Sequence, residues 1–105
     1  LVQAPPDGQT LAVALSAITV NPALRGELPY DTLRDIAPVS LAARAHVALV
    51  ANPSLGARDL AAMIELAKRT PGGLSYASPG NGTLVHLAGE LLARRSGAPL
   101  VHVPY

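Results

Sequence analysis

The amino-acid sequence predicts an α/β fold, because its second half alternates short apolar segments with helical ones. Residues 74–77 and 100–103 have the length and apolar content of strands, and glycine or proline bounds each of them. Between them, apolar residues recur at the spacing of one helix face: Leu84, Leu87, Ala88, Leu91 and Leu92. Together with a predicted strand at 45–51 and a predicted helix at 60–69, they give the second half the order strand, helix, strand, helix and strand. This order predicts that the strands pair in parallel.

The first half is predicted to hold three strands joined by loops. Pro5 to Gly8 form a turn, and residues 23–33 have no clean period, which predicts a loop with one helical turn. Residues 16–19 are predicted to form the exit loop of the first strand, and Asn21-Pro22 to begin a turn. The predicted strands span residues 10–15, 36–42 and 45–51.

Two helices carry clear start and stop signals. Asp59 is a good N-cap for a helix over residues 60–69, which the sequence Pro71-Gly72-Gly73 ends. The predicted buried stripe of this helix is Leu60, Met63, Ile64 and Ala67. The second helix follows the glycine-rich segment at 80–82, reaches about Ser96 and ends at Gly97.

Composition excludes several classes of function. The chain has 105 residues, enough for one small domain at most, and a net charge of +1 with scattered basic residues, which argues against a nucleic-acid partner. There is no cysteine, so no disulfide or thiol chemistry is expected. The longest apolar run, residues 11–20, is too short to span a bilayer.

The segment Ser78-Pro79-Gly80-Asn81-Gly82-Thr83 is the candidate binding site. A strand that enters a helix through such a turn leaves the first helical N–H groups without partners, and these groups with the helix dipole favour an anion. Asn81-Gly82 is also a common hairpin dipeptide, but the apolar period near 3.6 that follows it argues against a hairpin. A plain strand-to-helix turn without a ligand stays open as an alternative.

No catalytic or metal site is predicted. His46, His86 and His102 match no zinc spacing, and no cysteine or close carboxylate cluster accompanies them. The serine elbow of hydrolases and the common nucleotide fingerprints are absent. His86 and Glu90 lie four residues apart on one helix face, which is more typical of a hydrogen-bonded pair than of a catalytic one. We therefore expect no enzyme activity, no cofactor and no required metal.

Seven blocks of the sequence, in order, resemble one family. The most extensive reads Ser-Pro-Gly-Asn-Gly-Thr-Leu-Val-His-Leu-Ala-Gly-Glu-Leu at residues 78–91. The other blocks lie at residues 6–11, 21–24, 28–31, 35–40, 50–55 and 101–105. Together they are similar to the extracytoplasmic solute-binding proteins of tripartite tricarboxylate transporters, the TctC or Bug family. Gln9 and Arg25 depart from the residues that are usual in that family.

The resemblance implies a type II periplasmic-binding-protein fold, in which two α/β lobes close on a small carboxylate. By this likeness, residues 1–52 are the end of lobe one and residues 53–105 the start of lobe two, with the chain incomplete at both ends. The family's way of holding a carboxylate on main-chain N–H groups and hydroxyls nominates seven residues. They are Ser78, Gly80, Asn81, Gly82 and Thr83, with Ser16 and Thr19 of the 16–19 loop second.

The resemblance also implies partners and a location. The expected partners are a small carboxylate and the membrane components of the transporter, and the expected location is the periplasm. We further expect weak or undetectable carboxylate binding by the isolated chain, because the opening glycine loop of lobe one has no counterpart in residues 1–105. We also expect self-association, because sheet edges would be left unpaired. Two other classes stay open: a ligand-sensing effector domain of a transcription regulator, and an α/β enzyme that binds a phosphate at the glycine turn.

Overall fold

The computed structural model describes all residues, 1–105, and the chain divides into two units, Leu1–Ala45 and His46–Tyr105. Each is described by itself below. The regular elements are α1 (Ala17–Leu24), α2 (Leu60–Arg69), β1 (Leu74–Ser78), α3 (Leu84–Ser96) and β2 (Leu100–Pro104), with a short 3-10 turn at Pro53–Leu55. None of the helices has the length and apolar character needed to cross a membrane.

The first unit contains one helix and no strand. The predicted strand at 10–15 is wrong, because these residues form no regular element, and the predicted loop at 16–19 instead begins α1. A helix forms its hydrogen bonds within one segment, so residues 17–24 need no neighbouring strand to form a regular element. The support for α1 is thin, since Pro22 interrupts its ladder and none of its residues is buried.

The predicted strands at 36–42 and 45–51 are also wrong. No residue between 37 and 52 belongs to a helix or strand, and almost every side chain in this stretch is exposed. Val39 and Val50, which the apolar pattern assigned to strands, are 83% and 85% exposed. An apolar run becomes a strand only when another strand accepts its hydrogen bonds, and none lies beside this one.

The second unit contains a β1–α3–β2 unit, which confirms the predicted α/β class. The two strands are parallel, with Tyr76 opposite His102 and Ser78 opposite Pro104. Helix α3 joins them, as a parallel pair requires. The chain enters β1 through Gly73, which has a φ of +79° and no room for a Cβ because the Pro99 carbonyl is too close.

The helix boundaries of this unit follow the predicted capping signals. Asp59 caps α2 by accepting a 2.8 Å hydrogen bond from the Ala62 N–H, and Gly97 ends α3 with a φ of +66°. The small core comprises Met63, Ala67 and Ala98. The prediction that Leu60 is buried with Met63 and Ala67 is wrong, because Leu60 is 50% exposed. Leu84 and Leu91 of α3 are exposed to a similar degree.

Candidate functional site

The glycine turn lies between the end of β1 and the start of α3. Gly80 and Gly82 have φ values of +133° and +79°, so both adopt the backbone conformations that favour glycine. The predicted strand–turn–helix transition is therefore confirmed, and a β-hairpin at Asn81-Gly82 is excluded. Gly82 is buried whereas Asn81 is exposed.

Thr83 closes the turn and caps α3. Its Oγ1 accepts a 3.3 Å hydrogen bond from the His86 N–H and donates a 2.8 Å hydrogen bond to the Gly80 carbonyl. One hydroxyl thus satisfies an orphan donor of the first helical turn and holds the preceding loop in place. The Thr83 hydroxyl thus both donates and accepts a hydrogen bond within the chain.

The backbone N–H groups of the turn are only partly available to a ligand. The Gly82 N–H donates a 3.1 Å hydrogen bond to His86 Nδ1, and the Thr83 N–H donates a 3.4 Å bond to the Gly80 carbonyl. The Gly82 and Thr83 amides are therefore engaged within the chain and are not open to a ligand. The N–H groups of Asn81, Leu84 and Val85 donate no hydrogen bond within the chain.

Ser78 lies beneath the turn and is 5% exposed. Its Oγ accepts a 3.1 Å hydrogen bond from the Gly80 N–H, lies 3.2 Å from the Gly80 carbonyl, and lies 2.6 Å from His102 Nε2. Its hydroxyl therefore links the last residue of β1 to both the turn and β2. This placement makes Ser78 a support of the turn, since its polar groups are already satisfied.

Two histidine rings, one from α3 and one from β2, stack on each other. The rings of His86 and His102 have centroids 4.0 Å apart and planes inclined by 27°. The ring of Tyr76 also approaches His102, with its centroid 5.0 Å from that of His102 and the two planes inclined by 35°. The signal that would have found this group is the two-residue alternation of strands: Tyr76 and Ser78 share a face, and the parallel register places His102 beside Tyr76.

Glu90 completes this group from the next turn of α3. Its Oε1 accepts a 2.8 Å hydrogen bond from the Tyr76 hydroxyl and lies 3.8 Å from His86 Nε2. Burial of the hydroxyl, together with its bond to the Glu90 carboxylate and the charge of that group, raises the pKa of Tyr76 to about 12. His86 and Glu90 are neighbours as predicted, but 3.8 Å is beyond hydrogen-bond distance, so the expected hydrogen bond between them is not formed.

The side chains of this group are hydrogen-bonded or stacked with one another, and they are not arranged around a common metal position. No three histidine, aspartate or glutamate side chains are arranged to hold a metal ion. Ser78 contacts His102, and a contact between a serine and a base is one part of nucleophilic catalysis. Here, however, no carboxylate bonds to the His102 ring, and the serine is buried.

The second predicted set of site residues lies in the other unit. Ser16 precedes α1 without a side-chain cap bond, and the Thr19 hydroxyl donates a 2.8 Å hydrogen bond to the Ser16 carbonyl. Two open depressions of about 240 and 320 Å³ occur in the same unit. Leu1 and Tyr30 help to line the first, and Arg25 and Asp31 the second; neither includes Ser16, Thr19 or a residue of the glycine turn.

Comparison with known families decides what this arrangement belongs to. The family model described as "Tripartite tricarboxylate transporter family receptor", TctC, matches residues 1–105, the whole chain. The chain belongs to the TctC family. Its members have a periplasmic-binding-like fold and are solute-binding receptors, so the predicted family and fold class are confirmed.

Individual TctC relatives agree with this assignment. A UPF0065 protein from the tcbD–tcbE intergenic region of Pseudomonas sp. is 39% identical over 105 residues, which cover 100% of this chain and 31% of that protein. A UPF0065 protein of Bordetella pertussis is 37% identical over 108 residues, covering 100% of this chain and 32% of that protein. Protein BugT of Bordetella pertussis is 36% identical over 101 residues, which cover 94% of this chain and 31% of BugT.

The chain thus spans about a third of the length of these relatives. No solved structure matches it significantly.

Proposed function

We propose that the chain forms part of a periplasmic solute-binding receptor that captures a small carboxylate for a tripartite tricarboxylate-type transporter. The observation that carries the proposal is the match of the receptor family to the whole chain. The partners of the receptor are then the carboxylate and the membrane components of the transporter. Because TctC is a family of receptors, we also propose that the chain has no catalytic activity.

The proposed ligand contact is the start of α3. The N–H groups of Leu84 and Val85 are unpaired there, and that of Asn81 is unpaired in the exposed part of the turn. Unpaired donors at the positive end of a helix dipole attract a carboxylate, by about 0.3–1 kcal/mol at an exposed helix end. Of the nominated residues, Asn81 would donate directly, whereas Ser78, Gly80, Gly82 and Thr83 would shape the turn.

A second ligand contact is proposed for the first part of the chain. We propose that residues 1–52 belong to lobe one and residues 53–105 begin lobe two. Ser16 and Thr19 would then contribute from lobe one. The Thr19 hydroxyl is bonded to the Ser16 carbonyl, so the Ser16 hydroxyl is the freer of the two to meet a ligand.

The test is a titration of the ¹⁵N-labelled chain with millimolar fumarate, followed by nuclear magnetic resonance at constant ionic strength. We expect the amide resonances of Asn81, Leu84 and Val85 to move most, and sodium chloride to leave them in place. Shifts spread evenly over the chain, or absent at the start of α3, would overturn the proposed contact.

A pair of capping variants separates loss of the site from loss of stability. Thr83→Ala removes the cap of α3 at the site, whereas Asp59→Ala removes the cap of α2 elsewhere in the same unit. We expect fumarate-induced shifts to shrink only in Thr83→Ala. Equal loss in both variants would mean that the response reflects folding and not the turn.

A further inference from the structure

The contact between Gly82 and His86 fixes the protonation state of the histidine ring. A backbone N–H can only donate, and the Gly82 N–H lies 3.1 Å from Nδ1. Nδ1 must therefore carry a lone pair, which places the ring proton of neutral His86 on Nε2. Nε2 is the atom that lies 3.8 Å from the Glu90 carboxylate.

A second proton on His86 has one place to go, and that place is Nδ1. Protonation there turns an acceptor into a donor, so the hydrogen bond from Gly82 is lost and two N–H groups face each other. The turn has to rearrange locally, and Gly82 has the glycine backbone freedom to do so.

Ionisable groups face the His86 ring from two elements. The Glu90 carboxylate of α3 lies 3.8 Å from His86 Nε2, and the His102 ring of β2 is stacked on the His86 ring at 4.0 Å. The other groups that face the pair are the Tyr76 hydroxyl from β1, which is bonded to Glu90, and the Ser78 hydroxyl, which is bonded to His102.

We propose that His86 is a proton-operated latch on the glycine turn. The neutral ring holds the Gly82 N–H inside the turn. The protonated ring releases this N–H and places a positive charge near the unpaired amides of Leu84 and Val85. If these amides bind a carboxylate, as proposed above, binding is accompanied by proton uptake and tightens as the pH falls.

The latch itself is tested without a ligand. In the ¹⁵N-labelled chain, the Gly82 amide resonance is followed from pH 5 to pH 8 together with the ring resonances of both histidines. We expect the Gly82 resonance to move with the midpoint of the His86 ring. A Gly82 resonance that stays in place while His86 titrates would overturn the latch.

Three variants identify the group responsible. His86→Asn keeps an acceptor oxygen where Nδ1 lies but cannot titrate, so we expect a Gly82 resonance that no longer depends on pH. His102→Gln keeps a partner for Ser78 and should preserve the Gly82 titration. Glu90→Gln, which removes the neighbouring carboxylate but keeps the His86 ring, should preserve it as well. A Gly82 titration that persists unchanged in His86→Asn would overturn the latch.

A second readout links the latch to binding and separates its failure from that of the proposed function. Fumarate stays ionised between pH 5.5 and pH 7.5, and we expect its affinity to be at least about fivefold higher at pH 5.5 in the wild type. His86→Asn should lose this dependence. Binding that does not vary with pH would overturn the coupling but retain the site. Absence of fumarate binding at both pH values would overturn the site, while the Gly82 titration would still decide the latch.

Discussion

The hydroxyl of Tyr76 in β1 donates a 2.8 Å hydrogen bond to the Glu90 carboxylate in α3. This bond ties the strand before the glycine turn to the helix after it. The same hydroxyl also approaches the His86 carbonyl at 3.3 Å. The glycine turn therefore joins two elements, β1 and α3, that the Tyr76 hydroxyl also links directly.

Loss of this hydrogen bond should lower the free energy of unfolding, whether Tyr76 is deprotonated at high pH or replaced by mutation. The pKa of Tyr76 is raised from 10.0 to about 12, so its contribution is fully present below about pH 10 and is lost as the pH rises toward 12. Tyr76→Phe should lower the free energy of unfolding by about 1 kcal/mol at pH 7. Chemical denaturation at pH 7 and pH 11 measures both effects, and equal differences between wild type and variant at the two pH values would contradict the linkage.

The tyrosine titration can be observed directly. In a chain with Tyr30 and Tyr105 replaced by phenylalanine, ultraviolet absorbance reports Tyr76 alone. We expect Glu90→Gln to lower the pKa of Tyr76, but not to its ordinary value, because burial is the larger cause of the rise. A pKa that does not respond to Glu90→Gln would show that the bond is not formed in solution.

Gly89 should not tolerate a side chain while Tyr76 is present. A Cβ at Gly89 would collide with the Tyr76 ring, whose position is fixed by its bonds to α3. We expect Gly89→Ala to destabilise the chain by about 1–2 kcal/mol, despite the better helix propensity of alanine. In a Tyr76→Ala background the same change should be neutral or stabilising. Additive effects in this double-mutant cycle would contradict the packing of Gly89 against the ring.

The two helix caps should contribute comparably to stability. Thr83→Ala and Asp59→Ala each remove one side-chain acceptor from a helix N-terminus, and we expect each to cost about 1 kcal/mol. Thr83→Ser and Asp59→Asn retain an acceptor and serve as controls. Thermal unfolding measures all four variants. A Thr83→Ala variant as stable as Thr83→Ser would show that the cap contributes nothing.

Hydrogen exchange should distinguish residues 37–51 from the helices of the second unit. The former lie in no regular element, whereas α2 carries the core residues Met63 and Ala67, and α3 is a continuous helix of 13 residues. We expect amides in 37–51 to exchange at close to the unprotected rate and those in the middle of α3 to exchange much more slowly. Equal protection in both segments would favour the strands that the apolar pattern predicted.

Self-association of the chain stays a prediction. The sheet has two strands, so each has one open edge, and large apolar side chains such as Leu33 and Val101 are 94% and 49% exposed. We expect light scattering to show an apparent mass that rises with concentration. Val101→Lys, on β2, should reduce this rise if sheet edges pair, and Leu33→Lys is the matched control. A monomer at all concentrations would contradict the prediction.

The elements that the sequence predicts correctly are those set by local signals. The N-cap at Asp59, the glycine at position 97 and the helical spacing after Thr83 define α2 and α3 almost to the residue. Helices bond within themselves, so such signals suffice. The strands at 74–78 and 100–104 were predictable because a helix of the right length joins them and requires a parallel pair.

The sequence by itself therefore determined the βαβ order of residues 74–104, the glycine turn and the family. Only the tertiary structure decided that residues 10–15, 36–42 and 45–51 are not strands, because a strand depends on a partner elsewhere in the chain. It also decided which donors of the turn are free. The contacts of His86 with Gly82 and of His102 with Ser78 depend on the strand register and on the position of α3. The spacing of these residues along the sequence predicts neither contact.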